Sequence, residues 1–110
     1  MFKNKELMEQ SVKAIEAGQV TGMTTGCLRR CDGTMCAVGW MGHTAGFGDL
    51  LPQYDDNDYP IFTDHTPFYD AMRSHYGLTR GEMFEIEHQH DALNQAIKHI
   101  KSIGYDVFEY

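Results

Sequence analysis

Residues 35–45 run Met-Cys-Ala-Val-Gly-Trp-Met-Gly-His-Thr-Ala without an Asp, Glu, Lys or Arg. No other stretch constrains the fold as much. An uncharged helix is stable in water only when other elements cover it. Glycine weakens a helix by about 1 kcal/mol relative to alanine, so Gly39 and Gly42 are tolerated only where close packing offsets that loss. The segment therefore reads as a central helix from Thr34 or Met35 to Ala45. Other backbones should pass near its glycines, and Trp40 should fill the core. Thr34 is the expected cap, and Gly33 permits the tight entry.

Four further helices fit around it. Leu7, Met8, Ser11, Val12 and Ile15 lie on one arc of a helix from Lys5 to Ala17, with Asn4 as cap and Gly18 as stop. Thr66 and Pro67 open a third helix, whose inner face is Phe68, Ala71, Met72 and His75, and Gly77 ends it. Thr79 and Glu82 form a capping box, and Leu78 and Met83 a hydrophobic staple, at the start of a short helix from Arg80 to about His88. The last helix spans Ala92 to Ile103, capped by Asp91 and stopped by Gly104. Leu93, Ala96, Ile97, Ile100 and Ile103 face inward, and Lys98 and Lys101 lie near its negative end. The aromatic tail after Gly104 is expected to lie extended. Residues 19–33 read as a glycine-rich loop, and residues 46–65 as a long acidic loop of the kind that is often functional. The expectation is one all-α domain over residues 1–110, a compact bundle of about five helices around the small-residue helix.

At 110 residues the chain is long enough for one real core. No apolar run approaches the ~20 residues that a membrane helix needs, and no secretory signal is visible. A soluble, cytoplasmic protein with no membrane partner is expected. Its net charge of −7 is unevenly spread: residues 1–31 sum to +2 and residues 32–110 to −9. Such a surface repels phosphate, so free nucleic acid is an unfavourable partner, whereas the basic surface of another protein is a favourable one. The plain alternative is that the acidity only keeps a small protein soluble. The residues expected to contact a partner are Asp49, Tyr54, Asp55, Asp56, Asp58, Tyr59 and Asp64. Glu85, Glu87 and Asp91 form a second acidic face. Tyrosine beside carboxylate suits an interface. A homodimer is a further possibility that the sequence leaves open.

Three cysteines argue against a disulfide scaffold. Cys27, Cys31, Cys36 and His43 have the spacing C-x3-C-x4-C-x6-H. Seven residues of helix separate Cys36 from His43 by about 10.5 Å, too far to share one zinc ion. The metal-binding alternative therefore uses Cys27, Cys31 and Cys36 with His88 and His90, which point the same way if that segment is extended. A thiol–imidazole enzyme built on Cys36 is a second alternative, because a helix N-terminus lowers a thiol pKa. Asp55 to Asp58 resemble the opening of a calcium loop but lack its glycine and terminal glutamate. No phosphate-binding glycine motif or serine-hydrolase elbow is present. No cofactor and no catalytic residue is expected.

The stretch Cys31-Asp32-Gly33-Thr34-Met35-Cys36-Ala37-Val38-Gly39-Trp40 resembles a motif of small bacteriophage and prophage proteins, roughly C-G-T-x-x-C-x-A-G-W. Here Gly33-Thr34 is shifted by one residue and Val38 replaces the alanine. Gly77-Leu78-Thr79-Arg80-Gly81-Glu82 and the final helix extend the resemblance over about residues 27–104. It implies a phage setting and a helical fold. Taken with the charge, it suggests a non-enzymatic accessory protein that binds a host or defence protein, as inhibitor or modulator, in the cytoplasm of an infected bacterium.

Overall fold

The computed structural model describes residues 1–62, 64–88 and 93–108. Among these residues, five α-helices are present: α1 (Lys5–Thr21), α2 (Ala37–Thr44), α3 (Thr66–Tyr76), α4 (Arg80–His88) and α5 (Leu93–Phe108). A 3-10 turn at Gly48–Leu50 and a small antiparallel hairpin, β1 (Gln53–Tyr54) and β2 (Pro60–Ile61), lie between α2 and α3. The protein is an all-α bundle with the hairpin as an appendage.

Helix α2 is the core element that its composition demands. Every residue from Ala37 to Gly42 is buried. A Cβ added at Gly39 would collide with the Leu28 carbonyl oxygen, and one added at Gly42 with the Phe68 ring. Close approach of neighbouring elements thus accounts for both glycines. The helix begins later than expected, however. Cys36 is the N-cap, its Sγ accepting the Gly39 N–H at 3.4 Å. Thr34 instead donates its N–H and hydroxyl to Asp32 Oδ1, at 2.9 and 2.7 Å. The reason lies in pairing between chain segments. Met35 bridges Met23, the Arg30 N–H donates to the Thr34 carbonyl, and the Cys36 N–H donates to that of Cys27. Those bonds hold residues 34–36 extended, so the helix can begin only after them.

Helix α1 starts where Asn4 predicts, with Asn4 Oδ1 accepting the Leu7 N–H at 3.0 Å. It does not stop at Gly18. That glycine is buried beneath the Trp40 indole, 2.5 Å from where its own Cβ would lie. The stop comes at Gly22, with φ +144°. The Gly22 carbonyl accepts the Trp40 Nε1–H at 2.9 Å. One tryptophan therefore joins α1 to α2 by packing and by a hydrogen bond.

The N-cap of α3 is His65 rather than Thr66 and makes no side-chain cap bond; just before it, Asp64 Oδ1 accepts the Thr66 N–H at 3.0 Å. It ends at Gly77, with φ +77°. Its buried face is Phe68, Tyr69, Met72 and Tyr76; Ala71 and His75 are half-buried. The capping box of α4 forms as read, with bonds of 2.9 and 3.1 Å between Thr79 and Glu82. The staple residues Leu78 and Met83 are both buried. Helix α5 packs on α1 and α4 through buried Ala96 and Ile100. It continues through Gly104 to Phe108, so Lys101 is not in its last turn and residues 105–108 are helical rather than extended. The expected cap Asp91, the start at Ala92 and the side chain of Leu93 lie outside the described residues.

Candidate protein-docking surface

The acidic segment is an anchored projection, not an irregular loop. Leu51 is fully buried at its base. Tyr54 donates its hydroxyl proton to the Arg29 carbonyl at 2.7 Å, tying the hairpin to the loop that precedes α2. At the turn, the Asp55 N–H donates to the Tyr59 carbonyl at 3.0 Å. Asp55 Oδ1 accepts the N–H groups of Asn57 and Tyr59, at 2.9 and 3.0 Å. Asp58 takes a left-handed conformation, φ +63°, which aspartate tolerates better than most residues. The carboxylate of Asp55 therefore builds the turn, whereas Asp56 and Asp58 are exposed beside it.

The remaining candidates divide. Asp49 is exposed in the 3-10 turn, and Tyr59 is 68% exposed. Tyr54 is half-buried and serves as the anchor. Asp64 is exposed but engaged at the start of α3, where hydrogen bonds from the Thr66 backbone and hydroxyl hold its carboxyl below the usual range. Two residues not anticipated as contacts join them: Ile61 and Phe62 are 51% and 94% exposed. The signal was present in the sequence. Tyr59-Pro60-Ile61-Phe62 is an apolar run inside a segment without Lys or Arg.

The second acidic face does not form as expected. Glu87 is buried, 6% exposed, and accepts the Tyr69 hydroxyl proton. Burial and that bond push the Tyr69 phenol well above its ordinary value. The Arg80 guanidinium lies 3.3 Å from the Tyr69 ring centroid, on the outer side of this cluster. Glu87 follows Met83 and Ile86 at helical spacing, so it shares the inner stripe of α4 and is unavailable to a partner. Glu85 is exposed, with His99 Nε2 3.3 Å from its Oε2. Asp91 lies outside the described residues.

The cysteines do not make a reactive centre. Cys36 is fully buried, and desolvation pushes its thiol up to about 12 despite the Gly39 N–H bond that favours thiolate. The expected lowering by the helix N-terminus is overturned, because loss of water outweighs it. His43 is exposed and sits edge-on to Trp40, with centroids 5.6 Å apart. Cys27 is half-buried, its Sγ donating to the Arg29 carbonyl at 3.5 Å, and Cys31 is exposed. His88 ends α4 with Nδ1 2.8 Å from the Phe84 carbonyl oxygen, so it is helical rather than extended; His90 lies outside the described residues. Among the described residues no group of three His, Cys, Asp or Glu is placed to hold a metal ion.

A groove of about 700 Å³ runs between α3 and α4, lined by Asp70, Arg73, Ser74, Thr79 and Arg80. Its polar groups are largely engaged. Arg73 lies 3.9 Å from Asp70, Arg80 covers Tyr69, and Thr79 closes the capping box. Among the described residues no helix is long and apolar enough to cross a membrane. No family model, curated protein or solved structure matches the chain.

Proposed function

We propose that this chain is a non-enzymatic accessory protein of phage type that binds the basic surface of a host or defence protein in the bacterial cytoplasm. The observation that carries the reading is the anchored hairpin. Residues 46–65 hold five aspartates and no Lys or Arg. The backbone of the hairpin within this segment is fixed by Leu51, by the Tyr54 hydroxyl and by the Asp55 turn. Carboxylates on a pre-ordered support attract a basic surface without the entropy cost of ordering a loose loop. The phage setting rests on the motif around Cys31 to Trp40.

The test is removal of charge without removal of the turn. Asp49, Asp56 and Asp58 are replaced together by asparagine, and binding kinetics are measured against the host protein that co-purifies with the unaltered chain. Association at low salt should slow by at least tenfold, and the salt dependence should flatten. Unchanged association at low salt refutes the reading.

A further inference from the structure

The carboxylates account for attraction, but not for three large apolar side chains left in water beside them. Among the described residues the large hydrophobics most open to solvent are Met1, Val20, Tyr59, Ile61, Phe62 and Phe84. Half of these six fall within four consecutive positions. Phe62, at 94% exposed, contributes almost nothing to the core of this chain. A ring of that size held in water on a fixed support is a feature of contact surfaces rather than of folds.

We infer that Phe62, flanked by Tyr59 and Ile61, is the anchor of the interface, and that it seats in an apolar pocket of the partner protein bordered by lysine and arginine. The inference rests on the docking role of the hairpin and adds the division of labour within it. Interfaces concentrate their affinity in a few aromatic residues that become fully desolvated, while surrounding charges set the rate and direction of approach. Asp58 and Asp64 bracket the apolar run in sequence, and residues 46–65 supply no positive charge to offset them. The complementary pocket is therefore apolar within and basic at its rim. A second copy of this chain is a poor occupant, because a symmetric hairpin contact sets aspartate against aspartate. An anionic membrane is disfavoured by the same repulsion.

The experiment places a photoreactive benzoylphenylalanine at position 62 and, as a control, at position 84 on α4. The variants are expressed in bacteria and irradiated, and adducts are identified by mass spectrometry. The protein captured from position 62 is then purified, and its binding kinetics are measured with the unaltered chain, with Phe62→Ala and with Asp56→Asn/Asp58→Asn. The expected result is an adduct specific to position 62 at a pocket with basic borders. Phe62→Ala should weaken affinity about 30-fold or more, chiefly through faster dissociation, with its melting temperature unchanged. The aspartate variant should slow association instead. No adduct at position 62, an adduct with a second copy, or a Phe62→Ala affinity within threefold of the original overturns the anchor. If the aspartate substitutions still slow association in that case, the acidic docking reading survives alone. If Phe62→Ala weakens binding while the aspartate variant associates normally, the anchor stands and the charge-driven reading falls.

Discussion

Gly39→Ala tests the packing of α2 most directly. An added Cβ would come closer than 3.0 Å to the Leu28 carbonyl oxygen, and would meet the Met35 Cβ at 3.0 Å. The first obstacle is backbone and cannot rotate away. It is also pinned, because the Cys36 N–H donates to the Cys27 carbonyl at 3.0 Å beside it. Overpacking of a core costs about 1–3 kcal/mol, and a rigid backbone obstacle puts this case near ~3. Replacing a helical glycine by alanine recovers about 1 kcal/mol of propensity. The net loss is therefore about 2 kcal/mol, which for a chain of this size lowers Tm by about 10 °C. Gly81→Ala is the matched control. It sits in the first turn of α4, and the nearest atom to its added Cβ is Thr79 Oγ1 at 3.9 Å, an ordinary contact. That change should stabilise by roughly 0.4–1 kcal/mol. Thermal and urea unfolding followed by circular dichroism measure both. If the two alanine variants move Tm in the same upward direction, the argument that α2 needs its glycines for close approach is wrong.

Alkylation with iodoacetamide at pH 8 should label Cys31 in the folded protein, whereas Cys36 should react only after denaturant is added; mass spectrometry of the peptides reads this directly. Tyr54→Phe removes the hydroxyl bond to Arg29 and should cost about 1 kcal/mol, with faster amide exchange across residues 53–61. Burial alone would raise the Glu82 carboxyl, but hydrogen bonds from the Met1 amino group and from Thr79 outweigh it and hold the group below its ordinary 4.5. A depressed folded value means that this stabilisation is complete above pH ~4.5 and is lost as pH falls through the folded value. Glu82→Gln should therefore flatten that part of the urea-unfolding profile below pH 4.5.

The sequence made the buried position of α2 legible because absence of charge leaves a helix nowhere else to go. The capping box at Thr79 and Glu82 was legible for a similar reason: its bonds are local and the residue types dictate them. Gly18 was misleading because glycine has two uses. As a text symbol it marks a stop, but in the fold it makes room for the Trp40 ring, and only tertiary contact separates the two. Glu87 was misplaced by treating carboxylates as outward by default. Its spacing from Met83 and Ile86 put it on the inner stripe, and the hydroxyl of Tyr69, from another helix, supplies the hydrogen bond that a buried carboxylate needs. Within the acidic segment, the aspartates stood out by number. The anchoring role of Tyr54 did not, since its acceptor lies 25 residues earlier in the chain.

Between Asp55 and Phe62 no side chain is buried. Apart from Asp55, whose carboxylate shapes the turn, that span can therefore be edited with little penalty to the bundle beneath it. Helices and hairpin are separable in that sense: one preserves the shape while the tip of the other is free to vary. A protein built this way can accept several substitutions at that exposed tip and keep its melting temperature.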